Sequence, residues 1–152
     1  MLGRLARWLR ILGYDTWYFR QIPDRDLAAA HQQSGRILLT RDTGLLRTHD
    51  LGPHLGIQHD HWRSQLRQVL DTYALAVSPE RVFTRCVHCN QILRDVPLTE
   101  VHGRIPDFVA STQKEFQNCT SCGRVFWPGS HRQRVLEILE GFAPRNRKQK
   151  DT

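Results

Sequence analysis

The arrangement of the four cysteines constrains the fold of this chain more than any other feature, because they occur as two C-x-x-C pairs. The first pair is Cys86 and Cys89, and the second is Cys119 and Cys122. Two thiolates separated by two residues can bind one metal ion from a tight turn, and two such turns supply the sulfurs of a tetrahedral Zn²⁺ site. We therefore predict a zinc ribbon with a structural zinc that has no open coordination position.

Two disulfides or a redox-active motif would use the same cysteine spacing. The sequence has no run of about 18 apolar residues and no secretion signal, so we expect a cytoplasmic protein, not bound to membranes, with reduced thiols. Reduced thiols argue against disulfides, and a redox motif would not occur as a matched pair. Asn90 and Gly123 each follow the second cysteine of a pair, where the backbone of such a turn needs a permissive residue.

Residues 1–80 alternate between helical and strand patterns, which is typical of an α/β domain with a parallel sheet. Leucines at helical spacing, followed by Gly13, predict a helix over residues 2–12. Further helices are predicted over Asp24–Ser34, Thr43–His49 and Trp62–Leu75. Strands are predicted over Tyr14–Phe19, Ile37–Thr40 and Leu55–Gln58.

The character of the sequence changes near Ser78. We assign residues 81–142 to the zinc ribbon and a C-terminal helix over Ser130–Glu140, and residues 143–152 to a basic, disordered tail. The net charge of +7 favours a polyanionic partner such as nucleic acid.

Asp24 and Asp42 each lie near the junction of a predicted strand and the following helix. Such junctions lie at the carboxyl edge of a parallel sheet, where ligands bind. Carboxylates that converge there would suit Mg²⁺ or Mn²⁺ and phosphodiester hydrolysis. Alternatively, both aspartates could be helix N-caps, and Asp26 could be a favourable charge in a first turn. Asp60, between two histidines, could belong to a metal site or to a solvated loop.

Four segments carry a family resemblance: MLGRLARWLRILGYDT, GRILLTRD, RCVHCN and CTSCGRVFWPGSH. Together they resemble a prokaryotic family named for the C-terminal domain of the worm mutator-seven exonuclease, abbreviated Mut7-C. The resemblance implies a PIN-like, three-layer α/β domain followed by a zinc ribbon. It also implies metal-dependent cleavage of RNA by clustered acidic residues.

The resemblance also implies roles for individual residues. Asp42, Asp24 and Asp26 would be the acidic residues of the catalytic site, with Thr40 as a hydroxyl neighbour and Mg²⁺ or Mn²⁺ as the catalytic ion. The contacts to RNA phosphates would come from Arg4, Arg7 and Arg41. The zinc ligands would be Cys86, Cys89, Cys119 and Cys122.

The chain departs from the family pattern at its start. Family members begin with a central strand that ends in an aspartate, directly before the MLGRLARWLR helix, and this sequence begins at Met1 without it. We expect either that the natural protein starts earlier or that the sheet is completed from elsewhere. A second copy of the chain could complete it, which would make the protein a homo-oligomer.

Two other functions are compatible with the sequence. The chain could be a non-catalytic protein that binds RNA or the ribosome, with Arg124 and the aromatic residues of Gly123–Trp127 stacking on bases. In the simpler interpretation of that segment, Phe126 and Trp127 pack the ribbon against the last helix. The chain could also be a structural partner protein whose exposed faces mediate assembly.

Overall fold

A computed structural model describes residues 2–47 and 51–143 of the chain. The chain divides into two compact units. The first unit consists of Met1–Leu9 and Thr16–Leu75, and the second consists of Arg10–Asp15 and Ala76–Thr152. The domain limits inferred from the sequence stay a prediction. The sequence analysis assigned Arg10–Asp15 to the N-terminal domain, whereas in the structure these residues belong to the second unit. Residues 144–152 of the predicted tail lie outside the described residues.

The first unit contains a parallel pair of strands and the helices around it. In chain order its elements are α1 (Gly3–Ile11, whose last two residues belong to the second unit), α2 (Asp24–Ser34), β1 (Leu38–Thr40), α3 (Thr43–Leu46), β2 (His54–Gly56) and α4 (Trp62–Thr72). The strands β1 and β2 are parallel, and Leu39 pairs with Leu55. The predicted parallel sheet is therefore confirmed, with two strands among the described residues.

Apolar spacing explains why the first unit folds. Leu5 and Leu66 are almost fully buried, and each such leucine contributes about 1.5–3 kcal/mol through burial. Trp8 of α1 stacks on Trp62 of α4, with ring centroids 4.6 Å apart and the planes 5° from parallel. Helix α2 ends at Gly35, whose φ of 64° places it in the left-handed region that closes helices.

The strand predicted over Tyr14–Phe19 is wrong, because these residues form no strand in the structure. Aromatic and β-branched residues favour strands, but only when a neighbouring strand accepts their backbone hydrogen bonds. Instead, the rings of this segment make side-chain contacts. The Arg36 guanidinium carbon lies 4.1 Å from the centroid of Trp17, and Trp17 meets Phe19 edge to face at 6.3 Å.

The second unit contains an antiparallel sheet, as expected for a zinc ribbon. Its elements are β3 (Arg94–Val96), α5 (Leu98–Val101), α6 (Asp107–Thr112), β4 (Phe116–Asn118), β5 (Val125–Phe126) and α7 (Ser130–Glu140). The strand order is β3-β4-β5, and both pairings are antiparallel. The predicted C-terminal helix is confirmed.

A small apolar core holds the ribbon together. Its buried members are Val96, Val101, Ile105 and Phe116, and Trp127 packs against them. Trp127 therefore packs inside the ribbon, and the interpretation that Phe126 and Trp127 pack the ribbon against the last helix stays a prediction. No helix among the described residues is long and apolar enough to cross a lipid bilayer.

Candidate functional site

The four cysteines converge in the second unit. All four sulfur atoms lie within 4.8 Å of one another, and no cysteine forms a disulfide. Cys86 Sγ is 3.7 Å from Cys122 Sγ, and Cys89 Sγ is 3.2 Å from Cys119 Sγ. Zinc–sulfur bonds of about 2.3 Å in a tetrahedron place the sulfurs about 3.8 Å apart, so this set is arranged to bind one Zn²⁺.

Each pair of cysteines sits on the same kind of turn. In the first knuckle (Cys86–Asn90) the Asn90 amide donates to the Cys86 carbonyl at 2.9 Å, and in the second (Cys119–Gly123) the Gly123 amide donates to the Cys119 carbonyl at 2.8 Å. Asn90 has φ 69° and Gly123 has φ 73°. Glycine and asparagine adopt this left-handed conformation most easily, as the sequence predicted.

The thiols differ in their electrostatic surroundings. Burial raises the pKa of Cys86 to about 12, whereas hydrogen bonds from the backbone and side chain of Arg124 lower the pKa of Cys122 to about 6. A zinc ion binds thiolates, so it would stabilise the deprotonated form of all four residues. With four protein ligands the site would be structural.

Arg10, near the end of α1, and Asp15, just beyond that helix, support the first knuckle, and sequence reasoning missed this contact. Arg10 is only 7% exposed, and its Nη1 donates to the carbonyl oxygens of Val87 at 3.1 Å and His88 at 3.0 Å. Asn90 Nδ2 donates to Asp15 Oδ1 at 2.6 Å. Arg10 and Asp15 therefore order the backbone that carries Cys86 and Cys89.

A second candidate site lies in the first unit, at the carboxyl edge of β1. Asp42 Oδ1 accepts hydrogen bonds from the amides of Gly44 at 2.7 Å and Leu45 at 3.1 Å. Asp42 is thus the N-cap of α3, as one interpretation of the sequence held. Its own amide donates to the buried hydroxyl of Thr40 at 3.0 Å, so Thr40 fixes the backbone of Asp42.

The parallel pairing brings the segment after β2 to the same edge. Asp60 forms an ion pair with Arg41, which was predicted to contact RNA. Sequence reasoning had left Asp60 undecided between a metal site and a loop. The ion pair shows that Asp60 lies beside Arg41, the residue before Asp42.

The other predicted acidic residues lie on α2. Asp24 is the first residue of that helix, Pro23 is its N-cap, and no side chain caps it, so the capping interpretation of Asp24 is wrong. Asp26 lies in the same turn, 3.7 Å from the Arg25 side chain. Among the described residues, no three carboxylates lie close enough together to bind one metal ion. In this part of the chain, the four cysteines are the one group of three or more histidine, cysteine, aspartate or glutamate side chains that could do so.

Two of the predicted RNA contacts lie on the first turns of α1. The Arg4 guanidinium carbon is 5.0 Å from the ring centroid of Trp62, and that of Arg63 is 4.5 Å from the same ring. Arg7 is exposed on the same helix. Arg4 and Arg63 therefore form a pair of cations around Trp62, at the start of α4.

Comparisons with known proteins give one match, to a family model. The family model described as Mut7-C RNAse domain matches residues 1–139. Searches of curated proteins and of solved structures found no significant match. The match extends over most of the chain and includes both candidate sites. The chain therefore belongs to the Mut7-C RNAse domain family.

Proposed function

We propose that the chain is a divalent-metal-dependent ribonuclease that hydrolyses phosphodiester bonds at the carboxyl edge of β1 and β2. The observation that carries this proposal is the fixed carboxylate of Asp42. Two amides hold its Oδ1, while Oδ2 accepts no hydrogen bond from a described residue. One oxygen therefore orients the group, and no described residue occupies the other.

The residues at this edge are compatible with Mg²⁺ or Mn²⁺, which often bind one or two carboxylates and complete their shell with water and substrate phosphates. Asp42 and Asp60 are the carboxylates at this edge, and Asp24 and Asp26 are further candidates. When bound, the ion would polarise the scissile phosphate and activate water. A cage made only of protein ligands is not required.

The chain's own side chains would bind and orient the RNA. Arg41 can form two parallel hydrogen bonds to a phosphate, and the incoming anion would compete with Asp60 for its guanidinium. Arg4 and Arg7 would bind neighbouring phosphates. Thr40 would act through Asp42 as a positioning residue, because its hydroxyl fixes the Asp42 backbone.

The experiment measures cleavage of end-labelled single-stranded RNA with and without Mn²⁺ or Mg²⁺. Asp42→Asn keeps a capping oxygen and removes the negative charge, so it should lower the rate by at least about 100-fold, or about 2.7 kcal/mol of transition-state stabilisation. Asp71→Asn, at an exposed position of α4, is the matched control and should cleave normally. Equal cleavage by both variants would refute the assignment.

A second function is favoured by the absence of a third nearby carboxylate among the described residues. The chain would then bind RNA without cutting it. Binding that weakens with salt, and no metal-dependent cleavage by the wild-type protein, would support this alternative.

Two further predictions concern location and assembly. A cytoplasmic location can be tested by cell fractionation, and a second copy that completes the sheet can be tested by sedimentation.

A further inference from the structure

The second unit contains an open groove of about 1140 Å³, and neither the four cysteines nor any residue of β1 is among the residues that line it. Ligand sites for drug-sized molecules have volumes of about 300–1,000 Å³, so this groove has room for a larger or extended ligand. Its lining combines aromatic rings with cationic side chains. The residues that matter here are Phe83, Phe108, Phe126, Lys114 and Arg132.

Phe108 is the most unusual residue of the groove. It lies on α6, and the residue is 76% exposed. A phenylalanine ring exposed to this degree gains almost nothing from burial, so packing does not explain its presence. It offers a flat apolar face to a ligand in the groove, as aromatic residues do where nucleobases stack on a protein.

Phe83 is held in a strained conformation at another wall of the groove. Its φ is 63°, a value that bulky residues rarely adopt. Such strain persists where the surrounding structure enforces it, and it concentrates at ligand sites. Here the Phe83 amide donates to the Ile11 carbonyl at 2.8 Å, and the Arg132 guanidinium carbon lies 4.9 Å from the ring centroid. The groove thus holds an aromatic ring with a cation beside it.

The groove offers cations to an anionic ligand. Lys114 and Arg132 line it together with the carboxylates Asp95 and Glu115. Arg85 also lines it but lies 3.9 Å from Asp15, and the whole chain carries a net charge of +7. Exposed rings interleaved with cations are the features that bind single strands of nucleic acid, since bases stack on the rings and phosphates meet the cations. A duplex keeps its bases stacked inside, so only an unpaired strand can present its base faces.

We propose that this groove is a binding site for single-stranded RNA, with one base stacked on Phe108 and the backbone phosphates beside Lys114 and Arg132. The site holds the RNA independently of the carboxylates at the edge of β1. This inference rests on RNA being the substrate proposed above, and it adds a second point of attachment and a preference for unpaired strands.

The test measures binding of a fluorescent single-stranded oligoribonucleotide to the full, zinc-loaded chain. The Asp42→Asn background without added Mg²⁺ or Mn²⁺ prevents cleavage during the titration. Phe108→Ala should weaken binding about tenfold, whereas Phe108→Trp should preserve it, because stacking needs an aromatic face. Ile92→Ala is the matched control, because Ile92 is 64% exposed in the same unit and does not line the groove.

Salt dependence provides an independent measurement. Arg132→Gln should weaken binding and reduce the slope of log affinity against log salt concentration by about one unit. Zinc content and circular dichroism of each variant verify that the ribbon is intact. Phe108→Ala is expected to fold, since the side chain is mostly in solvent.

Three results would overturn the proposal. The first is equal affinity of the Phe108→Ala and Ile92→Ala variants, and the second is equal affinity for duplex and single strand. The third is a concentration-dependent dimer that Phe108→Ala abolishes without any effect on RNA, which would make the groove a protein contact. Failure of the ribonuclease assignment is distinguishable, because it would show in the cleavage assay, as undiminished cleavage by Asp42→Asn in the presence of metal or as no metal-dependent cleavage by the wild-type protein.

Discussion

Arg10 Nη1 lies 3.0 Å from the carbonyl oxygen of His88, although 78 positions separate the two residues in the chain. The same nitrogen donates to the carbonyl of Val87 at 3.1 Å. The guanidinium is buried, so its charge is stabilised by these carbonyls. In this way an arginine of the N-terminal helix becomes part of the scaffold of a metal site whose ligands begin at Cys86.

We predict that Arg10→Met destabilises the protein, because methionine fills similar space and donates no hydrogen bond. Hydrogen bonds from charged groups contribute about 1.5–3 kcal/mol, and each kcal/mol lowers Tm by about 2–4 °C in a chain of this size. Thermal unfolding and zinc release to a chromogenic chelator measure the effect. Arg7→Met, exposed on the same helix, should stay within about 0.5 kcal/mol of wild type. Equal melting of both variants would contradict a supporting role for Arg10.

Removal of zinc should unfold the ribbon. We expect one zinc per chain by atomic absorption, and we expect a strong chelator to make all four thiols reactive towards Ellman's reagent. Because zinc binds thiolates, protons compete with it, and burial already raises the pKa of Cys86 to about 12. The chelator concentration needed for half-release should therefore fall as the pH is lowered from about 8 to about 6. Cys119→Ser should lose zinc, whereas Ser121→Ala, at an exposed position of the second knuckle, should retain it.

Asp42 has a structural contribution that can be separated from its proposed catalytic one. Asp42→Ala removes both hydrogen bonds to the start of α3 and should cost about 1 kcal/mol of stability. Asp42→Asn keeps an accepting oxygen and should cost less than half as much. Both variants should lose RNA cleavage if the charge is what matters. A parallel loss of stability and cleavage across the two variants would instead indicate that Asp42 only caps the helix.

Thr40 allows a test of positioning. Its buried hydroxyl accepts the Asp42 amide at 3.0 Å, so Thr40→Val removes the acceptor and keeps the shape of the side chain. We expect about a tenfold fall in kcat with little change in KM, because the Asp42 backbone is no longer fixed. Thr40→Ser retains the hydroxyl and should restore most of the rate. A value of kcat in Thr40→Val close to that of wild type would exclude the positioning role.

The parts of the fold that local sequence determines were predictable. The continuous apolar run at Leu38 indicated a buried parallel strand, and the cysteine spacing indicated the metal cluster. Asn90 and Gly123 indicated the left-handed turns. Each of these depends on a backbone preference or a ligand spacing that few residues satisfy.

Features that depend on contacts between distant segments were not predictable. Tyr14–Phe19 has strand-forming residues, but no strand in the described part of the chain pairs with it. Arg10 looked like any other charged residue beside the leucine stripe of α1, yet it is buried under the first knuckle. The contact of Asp60 with Arg41 joins the segments that follow two different strands, and it became visible only in the structure. Periodicity and spacing contain no information about such pairings.

The ion pair between Arg41 and Asp60 is the last relationship that can be tested. The Asp60 side chain is 90% exposed and that of Arg41 is 28% exposed, so solvent screens the attraction and the pair should contribute less than about 1 kcal/mol. We therefore expect Asp60→Asn to leave Tm almost unchanged. If Asp60 shares the proposed metal site, the same variant should raise the Mn²⁺ concentration required for half-maximal cleavage by about tenfold or more. Asp71→Asn controls for the loss of one negative charge from the first unit. A fall in Tm without a change in the Mn²⁺ requirement would show that Asp60 serves the fold and has no part in the reaction.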